Sequence, residues 1–150
     1  MKFEILDHPA ELRLRIYGKT IEELFTNAAE ALATIQKKNI ALLQRSLRKC
    51  YKEANGKIRI QSVDINALLV DFLSEILARS QINKCVYKVG NINHQAKDGA
   101  ATIEAEIIGY PVEYFDEDIK AITYQDVNIN QQPTTNNQQL IWQTDIVLDI

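Results

Sequence analysis

The sequence predicts an α+β fold: a single two-layer domain with mostly antiparallel sheet and two long amphipathic helices packed on one face. Three observations lead to this fold class. Two segments carry apolar residues at helical spacing, several others alternate apolar and polar residues, and most alternating segments are joined by short turns typical of hairpins. A chain of 150 residues is also long enough to bury a hydrophobic core.

The chain begins with two predicted strands. Residues 3 to 6 are a short apolar stretch that ends before the segment DHPAE. Residues 12 to 17 then alternate between apolar and polar side chains, which is the pattern of a strand with one face on a core. Gly18 ends this alternation.

A helix is predicted next, over residues 20 to 37. Thr20 and Glu23 have the spacing of a capping box, in which each side chain accepts a hydrogen bond from the backbone N–H of the other residue. Apolar residues then recur every three or four positions, so one stripe of the helix faces inward. The stripe consists of Ile21, Leu24, Phe25, Ala28, Ala29, Leu32 and Ile35. Residues 39 to 46 either prolong this helix or form a connection.

The middle of the chain predicts a hairpin and a second helix. Residues 47 to 52 and 57 to 61 flank Ala54-Asn55-Gly56, and an Asn-Gly pair between alternating segments favours a tight β-turn. Asp64 has the character of a helix N-cap. It precedes a second stripe at helical spacing, formed by Ile65, Leu68, Leu69, Phe72, Leu73, Ile76 and Leu77.

The last third predicts four more strands. Residues 86 to 91 and 101 to 108 are joined around Asp98-Gly99, a common turn sequence. Residues 121 to 129 and 140 to 148 alternate again. The polar stretch between them, NQQPTTNNQQ, predicts a flexible hairpin loop.

Composition limits the classes of function. The chain has 17 Lys and Arg against 20 Asp and Glu, a formal net charge of -3, so no strong field draws the whole molecule to nucleic acid or anionic lipid. Any contact with RNA is expected to be local or indirect. Cys50 and Cys85 have no metal-like or redox-like spacing, so we expect buried or idle thiols and a cytoplasmic protein. No apolar run approaches the roughly 20 residues of a membrane span, so no membrane role is expected.

The residues do not form a recognisable catalytic set. No nucleophile stands at a familiar spacing from a base, and the five glycines are scattered singly rather than in a phosphate-binding loop. This favours a protein that assists an enzyme over one that is an enzyme. The segment DHPAE places Asp7, His8 and Glu11 in one short turn, where they either hold a metal, move a proton or form the solvated edge of a loop.

Three segments together resemble the archease family. The opening, DHPAELRLRIYGKTIEELFTNAAEAL, is similar to a family pattern close to D/E-H-T-A-D-I-G-I-R followed by a glycine and an Ala-rich helix. VDINALLVDFLSEIL resembles the family's D-x-x-x-L-L-x-x-W/F-L-x-E-L-L helix, and IKAITYQDVNI resembles its I-K-A-V-T-Y-H-x-M-x-V strand. The last residues, VLDI, are similar to the family's hydrophobic closing strand. The resemblance spans nearly the whole chain, with gaps at residues 37 to 61 and 130 to 139.

The resemblance implies a non-catalytic protein cofactor of the tRNA-splicing RNA ligase. Archeases promote guanylylation of that ligase and its repeated turnover, while the ligase itself joins 2',3'-cyclic phosphate or 3'-phosphate ends to 5'-hydroxyl RNA. The family also holds a divalent cation, Ca²⁺ or Mg²⁺. The implied partner is therefore the ligase, and RNA is involved only indirectly.

The resemblance also implies site residues in this chain. The cation ligands are Glu11, Asp149 and Ile150; Asp7 and His8 are expected around them, and Lys120 and Tyr124 are candidate contacts with the ligase. Ile150 can supply only its backbone carbonyl or a terminal carboxylate.

The chain departs from the family pattern at several positions. Glu11 stands where the family has Asp, Gln125 where it has His, and Tyr110 where it usually has Glu. Two other functions therefore remain open. In one, Asp7, His8, Glu11 and Asp149 activate a metal-bound water for phosphoester hydrolysis. In the other, an archease scaffold binds a different acidic or nucleotide ligand.

Overall fold

The computed structural model describes residues 1–6, 11–39, 56–135 and 139–150. These residues form two helices and eight strands. The helices are α1 (Ile21–Gln36) and α2 (Ile65–Asn83). The strands are β1 (Phe3–Leu6), β2 (Leu12–Gly18), β3 (Gly56–Ser62), β4 (Cys85–Lys97), β5 (Ala100–Pro111), β6 (Ala121–Ile122), β7 (Asn130–Pro133) and β8 (Leu140–Asp149).

Both predicted helices are confirmed, with the predicted caps. Thr20 precedes α1, and its side-chain oxygen accepts a hydrogen bond from the backbone N–H of Glu23 at 3.1 Å. Asp64 precedes α2 and accepts from the backbone N–H of Ala67 at 2.8 Å. Each cap satisfies one of the N–H groups that a helix leaves unpaired in its first turn.

The strands form two antiparallel sheets. The five-stranded sheet has the order β1-β2-β8, and both β6 and β7 pair with β8 on its side away from β2. The three-stranded sheet has the order β3-β5-β4, and β4 and β5 form the hairpin predicted around Asp98-Gly99. Two helices with antiparallel sheet confirm the predicted α+β class.

One hydrophobic core joins the helices to both sheets. It contains the predicted stripes of α1 and α2, together with the inward residues of β2 and β8 and of the three-stranded sheet. The rings of Phe25 and Phe72 pack against each other in this core, with 5.6 Å between their centroids, and both residues are fully buried. This core fixes α1 against β2 and so orients the first long strand of the five-stranded sheet.

The predicted strand over residues 121 to 129 is wrong beyond Ile122. Residues 123 to 129 leave the ladder, although Val127 and Ile129 still pack against the core. The N–H of Thr123 still donates to the Val147 carbonyl of β8, but two later N–H groups are bonded by side chains. The N–H of Asn128 donates to Thr144 Oγ1 at 3.0 Å, and that of Ile129 donates to Asn66 Oδ1 at 2.8 Å. The alternation of apolar residues in this segment therefore indicates which side chains are buried, but not that the segment pairs as a strand.

The polar stretch predicted as a flexible loop contains a strand. Residues 130–133 form β7, which pairs with residues 140–143 of β8. An edge strand needs only its backbone groups to pair, so polar side chains do not prevent it.

Cys85 is buried as expected, but the expectation of a thiol is wrong, because Cys85 is disulfide-bonded. Disulfides are uncommon in cytosolic proteins, so this bond removes one of the reasons given for a cytoplasmic location. Cys50, Asp7, His8 and, in the predicted turn, Ala54 and Asn55 lie outside the described residues, whereas Gly56 begins β3. Within the described ranges, neither helix is long and apolar enough to cross a membrane.

Candidate metal centre

The pairing of β2 with β8 brings the chain's last residues to its first loop. Leu12, the first residue of β2, lies opposite Leu148 in an antiparallel register. Glu11 therefore directly precedes one member of this pair, and Asp149 directly follows the other. Because opposite residues in an antiparallel ladder have Cα atoms about 5 Å apart, Glu11 and Asp149 are neighbours at one end of the strand pair.

The other edge of β8 holds the chain end as well. Ala121 of β6 lies opposite Asp149, and the N–H of Lys120 donates to the Asp149 carbonyl oxygen at 2.7 Å. Thr123 donates to the Val147 carbonyl from both its N–H and its hydroxyl, each at 3.0 Å. The backbone around Asp149 is thus fixed on both sides, between β2 and β6.

The side chains of β8 alternate between the core and the outer face of the sheet. Ile146 and Leu148 are buried in the core at 1% exposure, so Asp149 projects from the opposite face and is exposed. Ile150 follows at 38% exposure. We define the outer edge as Glu11, Asp149, Ile150 and Lys120, the predicted site residues that the β2–β8–β6 pairing brings together.

Two arginines and two aspartates form a charge network beside the outer edge. Arg15 lies opposite Asp145 and binds it through Nε at 2.8 Å and Nη2 at 3.3 Å. Arg13 reaches Asp145 Oδ2 at 3.4 Å and Asp126 Oδ2 at 2.7 Å. The hydrogen bonds from Arg15 hold the pKa of the Asp145 carboxyl below its ordinary value, and the charges of both arginines act in the same direction.

Tyr124, the second predicted ligase contact, lies away from the outer edge. Tyr124 is 63% exposed, but its hydroxyl donates to Asp71 Oδ1 of α2 at 2.8 Å. Ser62 donates to the other oxygen of Asp71 at 2.6 Å. The hydrogen bond to Asp71 raises the pKa of the Tyr124 phenol, since it favours the protonated form beside a carboxylate.

The donor set of the outer edge fits a hard divalent cation. Glu11 and Asp149 provide carboxylate oxygens, which Ca²⁺ and Mg²⁺ prefer, and Ile150 adds a main-chain oxygen. In the part of the chain that the structure describes, no group of three or more His, Cys, Asp or Glu side chains is arranged to hold a metal ion. A cation at this edge would therefore complete its coordination with main-chain oxygen and water, as Mg²⁺ commonly does.

Three residues next to the outer edge, Arg13, Asp126 and Asp145, were not singled out from the sequence, and neither was Asp71, which binds Tyr124. The strand alternation could have placed Arg13 and Asp145 on one outer face, but their pairing depends on the β2–β8 register. The position of Asp126 could not be predicted from a sequence pattern, because this residue lies in an irregular segment and has a left-handed backbone, with φ 62°.

Fold and edge together define a small two-sheet α+β protein in which the first long strand and the last strand meet at an acidic outer edge. A solved structure with this fold is the solution structure of Methanobacterium thermoautotrophicum protein 1598. It superposes with a TM-score of 0.75 at 21% sequence identity and covers 99% of this chain and 98% of its own.

Sequence comparison gives the family. Residues 3–150 match the model of the Archease protein family (MTH1598/TM1083). Protein archease of Methanosarcina barkeri is 30% identical over 99% of this chain and 96% of its own length. Protein archease of Pyrococcus furiosus is also 30% identical, over 99% of both. The chain belongs to the archease family.

Proposed function

We propose that this protein is a non-catalytic cofactor of a tRNA-splicing RNA ligase, and that it acts in the cytoplasm with a divalent cation bound at its outer edge. In this proposal it promotes guanylylation of the ligase and restores it for repeated turnover. The ligase performs the chemistry on RNA, and the archease contacts the ligase transiently.

The observation that carries the proposal is the β2–β8 register. Glu11 and Asp149 are 138 positions apart in the sequence, yet the Leu12–Leu148 pair makes them neighbours. Family membership supports the same reading, because the resemblance selected these two carboxylates as ligands. Carboxylates on two neighbouring residues suit a hard cation, because Ca²⁺ and Mg²⁺ bind several carboxylate oxygens at once.

The residues have separate roles in this proposal. Glu11 and Asp149 hold the cation, with a main-chain oxygen of Ile150 as a third donor. The backbone N–H of Lys120 is bonded to the Asp149 carbonyl, and the Lys120 side chain is exposed. Its ammonium group would bind a phosphate or carboxylate of the ligase complex. A bound cation supplies a positive centre at which an anionic group of the partner can dock.

The test is multiple-turnover ligation by a purified tRNA-splicing ligase, with the archease added at less than the ligase concentration. Wild-type protein should raise the rate of repeated ligation. Glu11→Ala and Asp149→Ala should reduce this stimulation about tenfold or more, as expected when a metal site loses a ligand. Glu104→Gln is the matched control, because it also removes one carboxylate, but from an exposed position on the other sheet.

Two results would overturn the proposal. One is a ligation rate that wild-type protein does not change, with ligase and substrate both active. The other is turnover of a phosphoester by the isolated protein in Mg²⁺ or Mn²⁺, which would make the protein an enzyme. The thermal unfolding midpoint of each variant is also measured, so that a loss of folded structure is not mistaken for a loss of function.

A further inference from the structure

Arg13 lies between two alternative acidic partners on the outer face of the sheet. In the β2–β8 register it is opposite Val147, so Asp145 and Asp149 are its two diagonal neighbours on β8. Diagonal neighbours in an antiparallel pair are about 7–8 Å apart, which is within reach of a long side chain. Arg13 can therefore approach either aspartate.

The structure shows Arg13 on the side of Asp145. Its guanidinium binds Asp126 at 2.7 Å and Asp145 at 3.4 Å. Asp126 follows β6, which lies on the far side of β8 from β2, so the Arg13 side chain crosses over β8 at the level of Val147. Val147 is completely buried although it is on the outer face, which agrees with this crossing.

A guanidinium released from Asp126 would keep two acidic neighbours along β8: Asp145, which Arg15 already neutralises, and Asp149. Guanidinium and divalent cations compete for the same carboxylate oxygens, because each needs them to neutralise its charge. Asp126 is therefore in a position to control the cation affinity of an edge that it does not touch.

We propose that Arg13 is a built-in competitor for the cation at Asp149, and that Asp126 and Asp145 hold it away and so set the cation affinity. The inference rests on the cation site proposed above. Arg13 is thus a positioning residue. Its positive charge lowers the affinity for the cation, and its ion pair with Asp126 limits this effect.

The experiment is a double-mutant cycle on cation affinity. Binding of Ca²⁺ and of Mg²⁺ is measured by titration calorimetry at low salt for wild type, Arg13→Gln, Asp126→Asn and the double variant. Arg13→Gln removes a positive charge from the residue diagonal to Asp149 and should tighten binding about threefold to tenfold at low salt. Asp126→Asn should weaken binding by a similar factor, because it frees the guanidinium.

The double variant tests whether Asp126 acts through its ion pair with Arg13 or through its own negative charge. If Asp126 acts through Arg13, the Asp126→Asn change should alter the affinity by less than about twofold once Arg13 is Gln. Arg15→Gln is the matched control, because it removes the same charge from the next outward position of β2, which is not diagonal to Asp149. Its effect should be clearly smaller than that of Arg13→Gln. Arg13→Met, which keeps the aliphatic stem over β8, serves if Arg13→Gln lowers the unfolding midpoint.

The outcomes distinguish this inference from the cation site itself. Wild-type binding that Asp149→Asn removes, but that Arg13→Gln leaves unchanged, overturns the role of Arg13 and keeps the site. Equal weakening by Asp126→Asn in both backgrounds also overturns it, since Asp126 would then act by its own charge. Binding that appears only in Arg13→Gln supports the inference. No binding in any variant overturns both.

Discussion

Replacing Asp145 by Asn should destabilise the protein in a way that depends on pH. The carboxylate accepts hydrogen bonds from Arg15 at 2.8 and 3.3 Å and from Arg13 at 3.4 Å. Its side chain is only 19% exposed, whereas the arginines are 37% and 22% exposed. The variant therefore leaves two partly solvated guanidinium groups without their shared partner, although Arg13 keeps its bond to Asp126.

The expected loss at pH 7 is about 1–2 kcal/mol. A hydrogen bond to a charged group is worth about 1.5–3 kcal/mol when buried, and the value is reduced here because the partners are partly exposed. Arg15 holds the folded-state pKa of Asp145 below its ordinary value. A lowered folded-state pKa gives stability that is fully present above the unfolded pKa of about 3.9 and is lost as the pH falls through the folded pKa.

Urea unfolding of wild type and Asp145→Asn at several pH values measures this difference. The gap in unfolding free energy should be constant from about pH 7 to pH 5 and shrink below about pH 4. The control is Glu104→Gln in the Arg59–Glu104 pair, which has one contact at 3.0 Å and side chains 64% and 57% exposed. That variant should lose less than about 0.5 kcal/mol. A gap that persists unchanged at pH 3, or no gap at pH 7, would show that the charged Asp145 carboxylate does not stabilise the fold through the two arginines.

Three further predictions concern other parts of the molecule. Tyr124→Phe removes the bond to Asp71 and should lower the unfolding free energy by about 0.5–1.5 kcal/mol; in wild type, an ultraviolet titration should show one tyrosine ionising above the ordinary pKa, because Asp71 raises the pKa of Tyr124. Gly18→Ala should cost about 1–3 kcal/mol in thermal or urea unfolding, because the new Cβ would lie 2.4 Å from the backbone nitrogen of Leu24; unchanged stability would contradict this close packing. A short polar extension after Ile150 should weaken Ca²⁺ binding in calorimetry, and an unchanged affinity would show that the terminal carboxylate is not a ligand.

The elements that local chemistry determines were predictable from the sequence. Thr20 and Asp64 mark the starts of α1 and α2 because a side-chain cap bonds only three residues along the chain. The apolar stripes behind them report burial directly, and the core contains both. In the same way, the Asp98-Gly99 turn joins two strands that are neighbours in sequence.

The parts that depend on distant contacts were not predictable from pattern alone. Alternation over residues 121 to 129 suggested a strand, but side chains of α2 and β8 bond that segment instead. The β2–β8 register joins the two ends of the chain, and only the resemblance to archeases pointed to Glu11 and Asp149 together. The ion pair between Arg13 and Asp126 depends on this register and on the left-handed backbone of Asp126. Neither feature can be recognised from a local sequence pattern.

A crystal structure with Mn²⁺, used as a hard-cation probe whose anomalous scattering locates it, tests the central claim most directly. We expect a peak between the carboxylates of Glu11 and Asp149, with metal–oxygen distances of about 2.0–2.6 Å. An ordered outer edge with no peak at saturating Mn²⁺, or a peak only at another carboxylate cluster, would contradict it.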